Sequence, residues 1–535
     1  MLRRMSAVEV ADVEPKAHLL WRKLLPWLLA LLFCVLSLTD RNLAEVHTAD
    51  PPRHMLNGAL LHDMIRSGSV LHPVEFARQF YTHYPAISLP YHPPLFPLFE
   101  AGLYSIFGVD TAVARMGVAI AVVVSVILLY AVVLELNGSA TLAFLTTVTF
   151  FSLRICRDVA SDVMLEFPVL ALTLAALYVL RRFDRRFSMR TGILFALLGG
   201  AAVWTKQTSV FLGAVPWILA VLTRRWSYFR RAPIWLASAV FGLLVALLLA
   251  IPVVMLRWSG SNWKTHSSLG GLIRNRAFYY FAVVRETFLI GGLAVLVAGL
   301  LLTVVWIVRR KEGWYADSFY LAWIIPIFVA AALTPQFDER YILSAYPAMI
   351  ALGYLALFRL AGRILPERWA WCPAFAAALF LCGFSLAFLP RQNLSGVRSA
   401  ARFLAGEQPA RILYCGPLDG SFITGLREFN PPTQPIMVRS DQLPPEARSP
   451  AGLDDFAHQF GIDHVVVWEG KSDELATGPA SNMRIEKDFP IFDRSRPLGH
   501  IAVYRYTNPA PNAPSSLQIR SHLLGRGLDL EIEDK

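Results

Sequence analysis

Thr48-Ala49-Asp50-Pro51-Pro52-Arg53-His54 lies just beyond the first apolar run of this chain. Asp50 suits a helix N-cap, and Pro51 suits the first helical position, where its missing N–H would have had no intrahelical partner. Met55, Leu56, Ala59, Leu60 and Met64 then recur at helical spacing, and Gly68 is a stop signal. His54, Asn57, His62 and Asp63 lie mainly off that stripe. A second start follows at Tyr91-His92-Pro93-Pro94-Leu95, with Leu95, Leu98, Phe99, Leu103 and Ile106 on one side. Both stretches are too short and interrupted to span a bilayer. They are expected as amphipathic helices lying in an outer membrane interface. Residues 40–112 thus form the first exterior loop, between one span and many.

The composition agrees with that reading. The chain has 535 residues, 55% of them hydrophobic and 17% charged, with a mean hydropathy of +0.46. Soluble domains carry about 25% charged residues, so a polytopic α-helical membrane protein is expected. Apolar runs near 24–39, 113–134, 139–153, 164–180, 191–204, 208–222, 232–256, 286–308, 318–334, 341–358 and 369–389 predict about 11 transmembrane helices.

Every second connection is basic. Arg3, Arg4, Arg22 and Lys23 precede the first span; Arg181, Arg182, Arg185, Arg186 and Arg190 follow the fourth. Arg224, Arg225, Arg230 and Arg231 follow the sixth, Arg309, Arg310 and Lys311 the eighth, and Arg359, Arg363 and Arg368 the tenth. The positive-inside rule makes these connections cytoplasmic. Residues 1–23 are then a cytoplasmic N-terminal segment, and the first loop and C-terminal region lie outside. The net charge of +11 comes largely from these runs facing lipid. With no nucleic-acid motif beside it, nucleic acid is excluded as a partner. The five cysteines form no CxxC and imply neither a disulfide framework nor a zinc site. The N-terminus reads as a retained first span in a cell inner (plasma) membrane, not as a cleaved signal peptide.

From about Asn393 the pattern changes. Residues 24–390 are the transmembrane domain, and 391–507 read as a small extracytoplasmic α/β domain. Val397–Leu404 and Ala451–Phe460 read as helices, and Arg411–Gly416, His464–Trp468 and Ile501–Tyr506 as strands. Residues 508–535, with Pro509, Pro511 and Pro514, are expected as a flexible tail.

A carboxylate just outside a membrane, beside cations and aromatics, suits glycosyl transfer from a lipid phosphate. It can take the proton of an attacking hydroxyl, while cations stabilise the departing phosphate. A single base without a carboxylate nucleophile would invert the anomeric centre. Asp50 is the candidate base. Asp158 and Asp162, four residues apart, are candidate second acids on one helical face. Glu166, a turn further in, is an acid entering a span, which is costly unless it meets a polar cavity. Lys206, His92 and the Arg340-Tyr341 pair are candidate phosphate or sugar contacts, as is His54. Six of the twelve His lie between His47 and His92. A divalent metal on Asp50 or Asp63 is therefore a weighed option, although no spacing matches a metal signature and no cofactor is assigned.

Across residues 24–390 these pieces resemble the polyprenyl-phosphate-dependent GT-C glycosyltransferases: the group of protein O-mannosyltransferases, aminoarabinose transferases and lipopolysaccharide-core galacturonosyltransferases (family 39 or 83). The matching pieces are Asp50 soon after the first span, and His92-Pro93-Pro94-Leu95 with Phe107-Gly108 and Ala114-Arg115. Arg157 to Asp162 with Met164-Leu165, Thr205-Lys206, and Arg340-Tyr341-Ile342-Leu343 with Pro347 complete the series. The family's Asp-Glu pair reads Asp50-Pro51 here, its Lys before Pro-Pro is His92, and its Thr-Lys-Gly-Pro continues as Gln207-Thr208. The resemblance implies a GT-C-like fold, a polyprenyl-phosphate sugar donor and an extracytoplasmic lipid, glycan or protein acceptor. The alternative is a lipid or solute transporter or flippase, which would favour ionisable residues at midplane and inverted repeats. A non-catalytic membrane scaffold is a third reading.

Overall fold

A computed structural model of the protein describes residues 16–45, 50–89, 92–256, 269–333, 338–387, 393–430, 434–443, 449–469, 482–507, 516–523 and 526–533. Thr48 and Ala49 of the opening motif, Tyr91, and residues 508–515 of the tail lie outside them. The helices in chain order are α1 (Lys16–Thr39), α2 (Asp50–Arg66), α3 (Pro73–His83), α4 (Leu95–Phe107), α5 (Thr111–Asn137), α6 (Ala140–Ser152), α7 (Arg154–Ala160), α8 (Glu166–Arg186) and α9 (Met189–Thr205). There follow α10 (Val215–Leu222), α11 (Ala232–Leu256), α12 (Leu269–Val308), α13 (Trp314–Leu333), α14 (Tyr346–Ala361) and α15 (Cys372–Ala387).

The described residues of each expected span are helical, apart from a break at Leu289 (φ 60, ψ 173) where α12 kinks, because long apolar runs leave the backbone no other way to satisfy its hydrogen bonds in hydrocarbon. Two of them begin as 3-10 turns, Gln207–Ala214 before α10 and Glu339–Ala345 before α14. Among the described residues, six helices can cross a membrane on their own by length and composition, or seven if α6 and α7, bent by 67°, count as one broken span. Caps mark the boundaries that sequence punctuation suggests. Asp110 accepts from the Ala112 N–H at the start of α5 (2.7 Å), Ser139 caps α6 and Ser188 caps α9.

The C-terminal region contains β1 (Leu394–Ser395), α16 (Val397–Glu407), β2 (Arg411–Cys415), α17 (Asp419–Phe429), β3 (Ile436–Arg439), α18 (Pro450–Gln459), β4 (His464–Glu469), β5 (Met483–Asp493) and β6 (Arg496–Tyr506). These strands make one sheet in the order β1-β5-β6-β4-β2-β3. Strand β2 runs parallel to β3 and β4; β4, β6, β5 and β1 pair antiparallel. The expected flexible tail needs correction. Residues 516–523 (β7) and 526–533 (β8) form an antiparallel pair, matching Leu517 with Ile532 and Ile519 with Leu530. That period-2 alternation of apolar residues is what a hairpin needs, and the prolines preceding it obscured the signal.

Two buried clusters organise the chain. One joins the apolar helices. The other combines Leu56, Ala59, Leu60, Phe80, Tyr81, Tyr84, Ala86 and Ile87 of the first loop with the sheet and helices of the C-terminal domain. Helix α2 therefore departs from the interfacial helix the sequence suggests. Its Met55 belongs to the first cluster and its Leu56, Ala59 and Leu60 to the second. Residues Pro51, Pro52 and His54 to Leu60 are all buried. It is wedged between the two buried clusters. Helix α4 keeps an apolar stripe facing outward, with Leu98, Phe99, Ile106 and Phe107 exposed. Its opposite face, with Glu100 and Tyr104, packs against Gly58 of α2.

Candidate active site

Asp50 begins α2 and is followed by two prolines, so the first turn lacks two of the N–H groups that a capping carboxylate would serve. The carboxylate points elsewhere. Its Oδ2 accepts from Nη1 and Nη2 of Arg340, each at 3.1 Å. The expected cap role thus gives way to an ion pair spanning most of the chain. Arg340 lies in the 3-10 turn before α14. Asp338 caps that turn, its Oδ1 accepting both the backbone N–H and Nε of Arg340 at 2.9 Å. Its Oδ2 accepts from Nη2 at 2.5 Å. Burial opposes ionisation of Asp338, but the Arg340 hydrogen bonds and charge outweigh it and hold the carboxyl below its ordinary value.

Glu166 is the first residue of α8 and is 3% exposed. Its Oε1 accepts from Lys206 Nζ at 2.6 Å and lies 3.9 Å from Arg340 Nε. Its Oε2 is buried and has no hydrogen-bond partner among the described residues. Lys206 terminates α9 in extended backbone, which turns its side chain away from the helix axis. Its ammonium stands 5.5 Å from the Tyr341 ring centroid, a cation–π distance. Asp50, Arg340, Glu166 and Lys206 thus form a chain of alternating charge from four separate connections. Met164 Sδ closes one side, 3.7 Å from Arg340 Nη1.

His54 and His92 sit beside this chain, their rings edge to face at 4.6 Å. Burial, then the charges of His92, Lys206, Arg340 and Arg53, holds His54 well below the ordinary imidazole value. Burial is also the main reason His92 falls to about 4; Lys206 and Arg53 add to it, and Asp50 and Glu166 oppose it. Both rings are therefore neutral at pH 7 and can donate one N–H each. Arg53 is half-buried. Its charge reaches both rings, and it makes no ion pair among the described residues.

Asp158 and Asp162 belong to a second network. Arg41 donates to Asp158 Oδ1 at 3.1 Å and to Asp162 Oδ2 at 3.0 Å. Asp162 also accepts the Val163 N–H at 2.8 Å. Arg157 pairs with Asp40, and Arg115 donates to the Asn42 carbonyl at 2.6 Å. These contacts tie the exit of α1 to α5 and to the turn between α7 and α8. The two acids expected to share chemistry with Asp50 both accept from Arg41, offsetting its charge as burial of a guanidinium demands.

His62 lies against Asp63, which Arg427 of α17 grips at 2.7 Å. Among the described residues, no three His, Cys, Asp or Glu side chains converge as a metal site, so the weighed Asp50 or Asp63 metal has no donor set there. Sequence reasoning missed Arg53 and Asp338 as members of the site. The signal for Asp338 was its place two residues before Arg340 at a helix start; Arg53 carries no local signal beyond its position three residues after Asp50.

A family model described as dolichyl-phosphate-mannose-protein mannosyltransferase matches residues 91–256. The comparison with curated protein sequences gives no match. Among solved structures, ArnT from Cupriavidus metallidurans bound to undecaprenyl phosphate is similar over 94% of this chain and 100% of its own, at 16% identity and a TM-score of 0.60. The archaeal oligosaccharyltransferase AglB from Archaeoglobus fulgidus, in complex with an inhibitory peptide and a dolichol-phosphate, is similar over 84% of this chain and 70% of its own, at 14% identity and a TM-score of 0.52. The mycobacterial arabinofuranosyltransferase AftD is similar over 92% of this chain and 40% of its own, at 15% identity and a TM-score of 0.54. The architecture is the GT-C glycosyltransferase fold of a polytopic membrane protein.

Proposed function

We propose that this protein transfers a sugar from a polyprenyl-phosphate donor to a lipid, glycan or protein acceptor on the extracytoplasmic side of a membrane. The observation that carries the reading is the alternating chain of Asp50, Arg340, Glu166 and Lys206, with the bound lipid phosphates of ArnT and AglB as support for the donor class. An acceptor hydroxyl attacks the anomeric carbon, and its proton passes to Asp50. The bond from that carbon to the phosphate oxygen breaks, and the electron pair leaves with the polyprenyl phosphate. Arg340, Lys206 and Arg53 offset the charge that develops there, and His92 and His54 offer neutral N–H donors. Attack opposite the departing phosphate inverts the centre.

In this reading Tyr341 keeps Lys206 in place, and the free oxygen of Glu166 can receive a sugar hydroxyl. Asp158 and Asp162 support the turn that delivers Met164 and Glu166 and do not react. The alternation of basic connections supports a cytoplasmic N-terminus, an extracytoplasmic C-terminal domain and a plasma (inner) membrane setting.

The test is to incubate purified protein with a panel of polyprenyl-phosphate sugars and follow free polyprenyl phosphate. Asp50→Asn should lose turnover by roughly 100-fold or more, the usual contribution of a general base, and still bind the lipid phosphate. Absence of release from every donor would sink the proposal; unchanged turnover in Asp50→Asn would remove the base.

A further inference from the structure

The guanidinium of Arg340 donates hydrogen bonds to two carboxylates in unequal ways, with Glu166 Oε1 a third negative group 3.9 Å from Nε. Asp338 takes the side edge: Nε donates to Oδ1 at 2.9 Å and Nη2 to Oδ2 at 2.5 Å. This is a two-oxygen fork, the strong and directional form of the pair. The Asp338 rotamer is fixed independently, because the same Oδ1 caps the Arg340 backbone N–H at 2.9 Å. Asp50 takes the end edge with one oxygen only, straddled by Nη1 and Nη2 at 3.1 Å. Its side chain is 35% exposed, against 26% for Asp338. The Asp338 contact is a two-oxygen fork with a further backbone bond, and the Asp50 contact rests on a single oxygen.

We infer that Asp338 is a positioning residue that holds Arg340 side-on, and that the phosphate of the lipid donor displaces Asp50 from the end edge of the guanidinium. The inference rests on the proposed function and deepens it. Without donor, the carboxylate that should take the acceptor proton is occupied by Arg340. A phosphate arriving beside Lys206 and Arg53 brings oxygens that fit the end edge as well as a carboxylate does. It takes that edge, Asp50 is released towards the acceptor, and Arg340 stays in place because Asp338 holds its other edge. Donor binding thereby unlocks the base, and the acceptor is used only after the donor is seated.

The test compares binding of a polyprenyl phosphate, without sugar, to full-length purified protein and to two variants, Asp50→Asn and Asp338→Asn. Both remove one negative charge beside the same guanidinium, so a long-range charge effect moves both affinities the same way. Positioning and exchange require opposite signs. Asp50→Asn should bind roughly two- to fivefold tighter, since a partly exposed competing contact is gone. Asp338→Asn, whose amide oxygen can still cap the turn, should bind several-fold weaker. It should also lose kcat/KM with a raised donor KM, at near wild-type thermal stability. Affinities that move together, or an Asp50→Asn that binds no tighter, overturn the inference and leave the proposed function standing. A wild-type protein that binds no polyprenyl phosphate overturns both.

Discussion

His92 and Glu45 show how burial sets the charge of single groups here, with opposite consequences. His92 is held to about 4 and His54 well below its ordinary value. In the unfolded chain both take a proton near pH 6.5, so the fold loses stability as pH falls below that value. For His92 the window runs from about 6.5 to about 4, and the loss is on the order of 1 kcal/mol per pH unit inside it. Glu45 lies next to the site-bearing segment. Its carboxylate accepts from the Gly396 and Arg398 N–H groups at the start of α16. Burial first, and Glu428 in part, raises it to about 7 against those bonds and the Arg398 charge. Here the folded state keeps a proton that the unfolded chain has released, so stability falls as pH rises from about 4.5 to 7. Unfolding curves of His92→Gln should therefore lose part of the acid-side decline, whereas Glu45→Gln should be more stable than wild type above pH 7 and match it near pH 5. Identical pH profiles for the variants and wild type would contradict these assignments. Lys206→Met should cost roughly 10- to 1,000-fold in transfer rate if the ammonium meets the leaving phosphate, read as kcat at saturating donor. It also strands Glu166, so its thermal stability must be measured alongside.

Helix α2 contributes to both buried clusters, and its fit is set by two glycines. A Cβ on Gly58 would lie 2.8 Å from Glu100 Cβ and 2.9 Å from Tyr104 Cε2. On the other side, Gly420 of α17 leaves room for Pro52, whose Cβ would be 3.0 Å from an added methyl. Gly58→Val should destabilise the protein by roughly 1–3 kcal/mol through overpacking and shift Asp50 enough to lower activity. Gly102→Ala is the control. It sits on the exposed side of α4 with nothing within 4 Å, and should raise stability by up to about 1 kcal/mol. Equal melting temperatures for these two variants would refute the tight seam. This seam was invisible in the sequence, where the Met55, Leu56, Ala59, Leu60 stripe read as one lipid-facing surface. The stripe is real, but two neighbours share it, and periodicity alone does not say how many partners a face has. The membrane helices were legible for the opposite reason, since apolar length and Arg placement are properties of each segment by itself. Of the site, Asp50, Glu166, Lys206, His92 and Arg340 stood out as charged or titratable residues at helix ends. Their pairing, and that of Asp158 and Asp162 with Arg41, depended on which distant segment supplied the partner.

At the scale of the molecule, the first loop and the C-terminal region pack against each other. They share the second buried cluster and a series of bonds across the seam. Asp63 pairs with Arg427, Asp110 with Arg398, Gln442 donates to the Tyr81 hydroxyl, and Arg439 donates to the Pro85 carbonyl at 2.8 Å. An appended module would leave its neighbour's apolar surface covered when removed. Here removal uncovers Leu56, Ala59, Leu60, Tyr81 and Ile87, and leaves Asp63 without the arginine that pairs with it. A chain ending near residue 390 should therefore keep the helical content of the membrane domain but lose protection of residues 50–89. Hydrogen exchange in detergent or nanodiscs would read this as fast exchange through α2 and α3, with α5, α8 and α14 still protected. Transfer activity should fall with it, because Asp50 sits at the freed end of α2. A truncated protein whose α2 amides remain as protected as in the full chain would show that the membrane domain alone holds Asp50. The C-terminal domain would then have to act on the acceptor directly and not through the geometry of the loop.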